Sequence, residues 1–389
     1  MNIGVFSDSY RPYVSGVVTS IETFTQELNS LGHSVYIFAP RYPNYVETNP
    51  NIFRFLSVRP PTNPDFSLAV PISPRLGYTI KRLQLDIIHV HSPFLLGRLG
   101  ARYARRYRIP LVFTYHTLYD QYVHYVPFGQ RLTRDLMVHW SRHFCNQCDL
   151  VITPSSKVKE LLRQYGVKVP IKVLPTGINV DKFATGDSVW VRQRYHLNPK
   201  TKILLFVGRL GKEKNVDFLL YAYRQVVDHF PDSVLLIVAR GPEEQAMRDL
   251  ARELGLGERV IFTGFLQGNE LVNCYHGADL FVFPSVTETQ GLVLVEAMAA
   301  RLPVVAINAF GVADMVSHGL DGLLTEQSLT AFSSAIIELL QDDARRAAMK
   351  EQAWLKAQRL SSRNMTLELV RVYQHLIDLR KRNDYATGS

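Results

Sequence analysis

The chain has 389 residues, too many for one ordinary hydrophobic core and suited to two domains of roughly 150 to 200 residues each. Its composition, 47% hydrophobic and 20% charged, excludes a disordered or fibrous chain, and three cysteines are too few for a disulfide framework. With no secretory signal and no apolar run of about 18 residues, we expect a cytoplasmic protein that does not cross a membrane.

The excess of positive over negative charge is confined to the N-terminal half. Residues 1–185 carry 21 Lys and Arg against 11 Asp and Glu, whereas residues 186–389 carry 23 against 24. Many of the arginines stand on two successive candidate helices: Arg98, Arg102, Arg105, Arg106 and Arg108, then Arg131, Arg134 and Arg142. These arginines either form a solvated helix face or bind an anionic partner, which would be a lipid surface or nucleic acid.

Strand-like and helix-like segments alternate along the whole chain, which predicts βαβ units and parallel sheets. The predicted strands are 3–6, 35–38, 87–89, 111–114, 150–152 and 171–174, then 203–207, 234–238, 260–262, 280–283 and 304–306. We therefore predict an α/β protein of two doubly wound, Rossmann-like domains facing a central cleft. The expected bounds are 1–185, 186–365 and a C-terminal helix with tail, 366–389, that packs back on the N-terminal domain. The polar stretch 181–199 is the expected linker with its first helix.

Two carboxylates flank a predicted helix start after the strand 280–283. Ligands bind beyond the carboxyl ends of parallel strands, so one of Glu288 and Glu296 can contact a transferred sugar while the other reaches a nucleotide ribose. The N–H groups of Gln290, Gly291 and Leu292 would then face a phosphate. Glutamates near a helix start can also simply compensate the helix dipole, but an unpartnered Glu296 on this apolar helix would be costly.

Three other strand ends carry candidate groups. Arg209 and Lys214 follow the strand 203–207 and can neutralise a diphosphate as it leaves, although a solvated basic loop is the alternative. The turn before Gly16 can bring backbone amides near a phosphate. His116 can contact a sugar hydroxyl, although a histidine that only satisfies the core is the commoner case.

Two residue pairs have the spacing of metal or redox sites. His89 and His91 lack a third ligand at suitable spacing, so we assign them to structure. Cys145 and Cys148 form a CxxC without a second pair or a thioredoxin-like context. This favours a role in core packing over a redox or metal site.

In this order the motifs resemble those of the family 4 glycosyltransferases, a retaining group with the GT-B fold. The likeness covers nearly the whole chain, namely Ser15-Gly16, Tyr115-His116, residues 175–179, Gly208-Arg209-Leu210 with Lys214, and Glu288 to Glu296, which has the spacing of the family's E-x7-E motif. The chain departs from the family pattern at Ala239-Arg240-Gly241-Pro242, where the family often has Gly-x-Gly-Pro.

The resemblance implies roles for these residues. Arg209 and Lys214 would hold the diphosphate of a nucleotide sugar in place of a metal, so neither a metal nor a cofactor is expected. Glu296 would bind the ribose, and the catalytic pair His116 and Glu288 would contact the donor sugar. The remaining donor contacts would come from Gly16 at the β-phosphate, from Gln290, Gly291 and Leu292, and from Phe265 near the base.

Within this family, the runs 114–127 and Glu288-Thr-Gln-Gly are most similar to bacterial 1,2-diacylglycerol 3-α-glucosyltransferases, which use UDP-glucose. The similarity implies a lipid acceptor and peripheral association with the inner face of the cell membrane. The residues assigned to membrane and acceptor are Arg102, Arg105, Arg106, Tyr119 and Tyr122. A soluble sugar phosphate or polyol acceptor is the main alternative. A nucleotide-sugar epimerase and a nucleic-acid-binding module are less favoured, the latter because no reading motif is present.

Overall fold

The computed structural model describes residues 1–59, 67–118 and 130–387, and the chain folds into two compact units. Unit 1 consists of Met1–Gly177 and Ser362–Ser389, and unit 2 consists of Ile178–Ser361. The chain therefore leaves unit 1 once and returns to it for the last helix.

Unit 1 is an α/β unit around a parallel sheet. Its strands are β1 (Asn2–Phe6), β2 (Ser34–Pro40), β3 (Ile52–Phe55), β4 (Ser57–Val58), β5 (Leu68–Ala69), β6 (Ile87–Val90), β7 (Leu111–Thr114), β8 (Leu150–Thr153) and β9 (Ile171–Val173). Its helices are α1 (Gly16–Ser30), α2 (Leu76–Leu83), α3 (Leu95–Tyr107), α4 (Gln130–Cys145), α5 (Ser156–Gln164) and, at the end of the chain, α15 (Ser362–Thr387). In the described part, the sheet order is β3-β2-β1-β6-β7-β8-β9, and β4 and β5 form a separate antiparallel hairpin.

The first and last helices of unit 1 pack together. Ser15 caps α1 by accepting a hydrogen bond from the Val18 N–H at 3.3 Å. Apolar residues on one face of α1, including Ile21 and Phe24, share a core with Leu369 and Tyr373 of α15. The C-terminal helix is thus part of the hydrophobic core of unit 1.

Unit 2 repeats the βα plan with a second parallel sheet. Its strands are β10 (Lys202–Arg209), β11 (Ser233–Arg240), β12 (Val260–Phe262), β13 (Leu280–Phe283), β14 (Val304–Ile307) and β15 (Gly322–Thr325). Its helices are α6 (Val180–Ala184), α7 (Trp190–Arg194), α8 (Val216–His229), α9 (Glu244–Glu253), α10 (Gly268–Gly277), α11 (Leu292–Ala299), α12 (Val312–Met315), α13 (Leu329–Gln341) and α14 (Asp343–Arg359). The sheet order is β12-β11-β10-β13-β14-β15, so the winding direction reverses between β10 and β13.

The prediction of two parallel-sheet α/β domains is confirmed. The border between the units lies at Gly177/Ile178, earlier in the chain than the expected Thr185/Gly186. The reason is packing, because Phe183 of α6 and Val191 of α7 are buried in the core of unit 2, so most of the stretch expected to be a linker belongs to that unit. The C-terminal helix α15 begins at Ser362, before the expected 366, and lies in unit 1 from its first residue.

Candidate functional site

The loops after β10 and β13 lie on either side of the point where the winding of unit 2 reverses. These two strands are direct neighbours, with Leu204 paired to Leu280 and Leu205 to Phe281. In open parallel sheets such a reversal opens a crevice at the carboxyl ends of the strands, and ligands bind there. Arg209 is the last residue of β10, Lys214 lies in the loop after it, and Glu288 lies in the loop after β13.

An ion pair joins the two loops. The Lys214 ammonium donates a hydrogen bond to the Glu288 carboxylate, and both side chains are largely buried. Asn215 donates from Nδ2 to the Pro284 carbonyl at 3.2 Å, and Thr287 donates to the Glu213 carbonyl at 3.3 Å. A cation and a carboxylate predicted from separate motifs are thus held in one place. Since an ammonium has three N–H donors, Lys214 can bind a phosphate oxygen while it keeps Glu288.

The charge on Lys214 is sensitive to its surroundings. Burial lowers its pKa to about 8, the nearby Arg209 guanidinium acts in the same direction, and Glu213 opposes both. Arg209 is exposed at the end of β10. The two cations are close enough to influence each other, as a shared diphosphate-binding site requires.

The turn after Glu288 leads into the start of α11. Gly291 has φ of 79°, a left-handed conformation that favours glycine, and a Cβ there would lie 3.0 Å from Leu294 Cδ1. The first turn of α11 carries no acidic side chain, and Gly291, its N-cap, has no side chain that could cap the helix. Gln290 is buried and Leu292 is half-buried at this turn.

Glu296 is held by a tyrosine that the sequence analysis did not select. The Tyr275 hydroxyl on α10 donates a hydrogen bond to Glu296 Oε2 at 2.8 Å. Burial raises the pKa of Glu296, whereas this hydrogen bond and the Lys182 cation lower it. No sequence signal marks Tyr275, because only the packed fold brings α10 beside α11.

If Glu296 binds the ribose, as the family resemblance implies, replacing Tyr275 by Phe should weaken that binding. We expect the KM for the nucleotide sugar to rise about tenfold, since a hydrogen bond to a charged group contributes about 1.5–3 kcal/mol, with kcat changed less than KM. Steady-state kinetics at saturating acceptor measures both constants. Tyr221→Phe, on an exposed tyrosine of α8, is the control. An unchanged KM in Tyr275→Phe would contradict this role of Tyr275.

Gly311 supports the Glu288 turn and was also missed by the sequence analysis. Its N–H donates to the Glu288 carbonyl at 2.8 Å, and a Cβ on Gly311 would overlap the Thr289 backbone carbonyl. The loop after β14 thus lies directly against the turn that carries the candidate donor contacts.

Phe265, the residue expected near the base, follows β12 and is more than half exposed. It stands next to Gly264, which has φ of 76°. A Cβ on Gly264 would lie 3.3 Å from Nε of Arg240, at the end of the neighbouring strand β11. Arg240 is the residue at which the chain departs from the Gly-x-Gly-Pro pattern.

In unit 1, Gly16 and His116 follow β1 and β7. Gly16 is the first residue of α1, and a Cβ there would meet no atom within 4 Å, so space is open around it. His116 Nε2 lies 2.8 Å from His91 Nδ1, so one ring donates a hydrogen bond to the other. Burial lowers the pKa of His116 to about 4 and that of His91 well below its ordinary value. Both imidazoles are therefore uncharged at neutral pH.

The remaining histidine and cysteine pairs have partners or surroundings of their own. His89 lies 2.6 Å from both the Tyr373 hydroxyl and Thr114 Oγ1. Cys145 and Cys148 are buried free thiols, and burial raises the pKa of Cys145 to about 12, which keeps that thiol protonated. Within the described residues, no group of three or more His, Cys, Asp or Glu side chains is arranged to hold a metal ion.

The arginines assigned to membrane and acceptor lie on α3. Arg102, Arg105 and Arg106 are all exposed. Tyr119 and Tyr122 lie outside the described residues. Across residues 1–59, 67–118 and 130–387, no helix combines the length and the apolar composition needed to span a bilayer.

Comparison with known protein families finds two matching models. The model described as Glycosyltransferase Family 4 matches residues 14–182, and the one described as Glycosyl transferases group 1 matches residues 191–355. The two matches together take in most of both units.

Individual relatives cover most of the chain. An alpha-monoglucosyldiacylglycerol synthase of Streptococcus pneumoniae is 34% identical over 337 residues, covering 83% of this chain and 75% of that protein. A D-inositol 3-phosphate glycosyltransferase of Corynebacterium urealyticum is 31% identical over 312 residues, covering 76% and 72%. The crystal structure of Anabaena Alr3699/HepE in complex with UDP has a TM-score of 0.78 at 20% identity, covering 96% of this chain and 100% of that one. At that sequence identity, the structural similarity shows a shared fold and nothing further.

Proposed function

Because the chain belongs to the family 4 glycosyltransferases and has their GT-B fold, we propose that this hexosyltransferase moves glucose from UDP-glucose to the hydroxyl of diacylglycerol at a membrane surface. One observation carries the proposal. Lys214 pairs with Glu288 where the winding of unit 2 reverses, beside the start of α11, and Arg209 at the end of β10 is close enough to lower the pKa of Lys214. A diphosphate leaving group needs positive charge, and the N-terminus of a helix adds to it.

The chemistry we propose is a displacement on one face of the sugar. The bond between the anomeric carbon and the diphosphate oxygen breaks while Arg209, Lys214 and the first turn of α11 stabilise the charge that develops. The acceptor hydroxyl forms the new bond on the same face and gives its proton to the departing phosphate oxygen, so the product is an α-glucoside. A β-glucoside product would overturn this mechanism.

Arg209 and Lys214 supply the charge that a divalent cation supplies in other transferases, so we propose that no metal is required. Activity should survive treatment with EDTA. Activity that is lost with EDTA and restored by Mg²⁺ or Mn²⁺ would contradict this part of the proposal.

Two observations support a lipid acceptor, and one favours a soluble acceptor as the second candidate. The relative of 34% identity is named a glucosyldiacylglycerol synthase, and Arg102, Arg105 and Arg106 of α3 can meet anionic headgroups. The relative of 31% identity is named for D-inositol 3-phosphate, a soluble polyol phosphate.

A matrix of donors and acceptors tests the proposal. UDP-glucose and other nucleotide sugars are incubated with diacylglycerol vesicles and, separately, with inositol phosphate, and mass spectrometry detects the products. We expect glucosyldiacylglycerol from UDP-glucose with the wild type and almost none with Glu288→Ala. Product on inositol phosphate alone would favour the soluble acceptor, and donor conversion without any acceptor would indicate an epimerase.

The pKa of Lys214 sets an expected alkaline limit. Below about pH 8 the ammonium is charged and can bind the diphosphate, and above it the charge is lost, so kcat/KM for the donor should fall as the pH rises through about 8. In Lys214→Arg, kcat/KM for the donor should not fall as the pH rises to 10, because a guanidinium stays protonated. The same alkaline limit in Lys214→Arg would assign it to another group. No step is expected near pH 6.5 from His116, whose pKa lies near 4.

A further inference from the structure

The hairpin of β4 and β5 exposes an apolar face. Ser57 pairs with Ala69 and Val58 with Leu68, so alternate residues share a face. Ala69 is buried on one face, whereas Val58 and Leu68 on the other are 59% and 37% exposed. Leu56, which shares that face with Val58, is 67% exposed. Aliphatic side chains that cluster on a solvent-facing hairpin indicate a binding surface.

A second apolar element borders the hairpin. Ile72 is 73% exposed, and Tyr78 on α2 is 70% exposed, while Leu76 of the same helix is buried. A groove of about 350 Å³ separates the two elements, with Leu56 and Ile72 among its lining residues and Arg75 beside them. Leu56 next to the hairpin and Ile72 ahead of α2 therefore lie along one groove.

In this stretch of the sequence, basic residues outnumber acidic ones. Between positions 52 and 85 the sequence has five basic residues and a single acid, Asp65, which lies outside the described residues. The five are Arg54, Arg59, Arg75, Lys81 and Arg82, of which Arg54 is paired with Glu47. An apolar patch bordered by cations and an exposed tyrosine is typical of a segment that lies in a membrane interface.

The same surface continues into the arginines of α3. The Tyr107 hydroxyl donates to the Gly77 carbonyl at 3.3 Å, which packs α2 against α3. Lys81 Nζ and the Arg106 guanidinium each lie 5.7 Å from the Tyr107 ring centroid. The cations of α2 and those of α3 therefore form one basic field.

We propose that the hairpin face, Leu56, Val58 and Leu68, together with Ile72 and Tyr78, inserts into the acyl layer of an anionic leaflet, while the cations of α2 and α3 bind its headgroups. The inference deepens the proposed function and rests on it, since an acceptor dissolved in a leaflet has to be reached at its surface. Charge alone gives binding that salt removes, whereas inserted side chains give a component that persists at high salt.

Vesicle flotation of the full chain tests the insertion. The double variant Val58→Thr/Leu68→Thr keeps strand-forming side chains but removes apolar surface. We expect about a tenfold weaker partition onto vesicles of phosphatidylglycerol and diacylglycerol, and a larger loss at high salt. The control, Leu320→Thr, changes a comparably exposed leucine of unit 2 and should bind as the wild type does. Wild-type binding of the double variant at high salt would overturn the proposal. So would a change in oligomeric state without a change in vesicle binding, which would assign the patch to self-association.

A fluorescence measurement reports directly how deeply the hairpin inserts into the leaflet. Leu68→Trp should be quenched by lipids brominated in the acyl chains beyond the quenching of the wild type, whose tryptophans are Trp140, Trp190 and Trp354. Unquenched fluorescence from the new tryptophan on bound vesicles would exclude insertion at this hairpin.

Failure of the inference can be told from failure of the proposed function. Diacylglycerol dispersed in detergent removes the need for docking, so the double variant should glucosylate it at the wild-type rate. If no lipid is glucosylated in either form while the variant still binds vesicles more weakly, the acceptor assignment fails and the docking surface stands. If dispersed lipid is glucosylated and the variant binds vesicles normally, the docking surface fails alone.

Discussion

Lys214→Ala should lower kcat about 100-fold to 1000-fold, the range measured for removal of one preorganised group that stabilises transition-state charge. Lys214 donates to Glu288 and lies within the electrostatic reach of Arg209, so its loss removes positive charge from the point where we propose that the diphosphate leaves. Steady-state kinetics with saturating donor separates this loss of kcat from weaker binding. Unfolding should also become easier by about 2 kcal/mol, because the largely buried Glu288 loses its partner.

Lys212→Ala is the matched control. Lys212 belongs to the same short turn, Lys212–Lys214, but its side chain is exposed, and it has no ion pair among the described contacts. Its removal changes the net charge by the same amount and should alter kcat less than threefold, a small effect of the kind expected for a screened surface charge. Equal losses in both variants would mean that general electrostatic attraction, not a placed ammonium, assists the reaction.

A second variant separates stability from catalysis. In Lys214→Ala/Glu288→Gln the buried carboxylate is neutral, so much of the lost stability should return, as thermal unfolding would show. The kcat should stay low, because the cation is still missing and the Glu288 carboxylate is now replaced as well. Recovery of both quantities together would indicate that Lys214 acts only by holding the fold.

The sequence predicted correctly those strands that are buried on both faces of their sheet. Runs such as Leu280–Phe283 are continuously apolar and lie between polar loops, and their observed bounds agree with the expected ones. The pattern missed short strands at the sheet edges, β3 and β15, and the hairpin β4–β5. Such strands are too short to establish a period, and they form only because a neighbouring strand or helix offers a partner.

The sequence predicted the charged residues of the candidate site but not the residues that position them. Arg209, Lys214 and Glu288 could be selected because charge at the end of an apolar strand needs an explanation. The partners that position them could not be selected. Tyr275 looks like any aromatic residue of a helix, and Gly311 like any loop glycine, until packing brings them beside Glu296 and Glu288. Family 4 membership, expected from the motifs, is confirmed, whereas the roles of the individual residues stay predictions.

Gly311→Ala should lower kcat/KM about 100-fold, although Gly311 carries no side chain that could contact a substrate. Its φ of −66° suits any residue, so the requirement for glycine is one of space alone. The added Cβ would overlap the Thr289 carbonyl, and the turn carrying Glu288 would have to shift. A misplacement of about 1 Å at a reacting centre costs about this much in rate. Kinetics below the unfolding temperature of the variant measures the effect.

The control for Gly311→Ala is Gly322→Ala, which introduces a clash of the same kind at the opposite end of the strands. A Cβ on Gly322 would overlap the Val304 carbonyl, where β14 and β15 begin, a strand length away from the Glu288 turn. Gly322→Ala should therefore lower the unfolding temperature while the folded fraction retains its kcat. If both variants lost activity only in proportion to their unfolded fraction, Gly311 would serve the fold and not the placement of Glu288. A loss of kcat confined to Gly311→Ala ties the loop after β14 to catalysis through the backbone it supports.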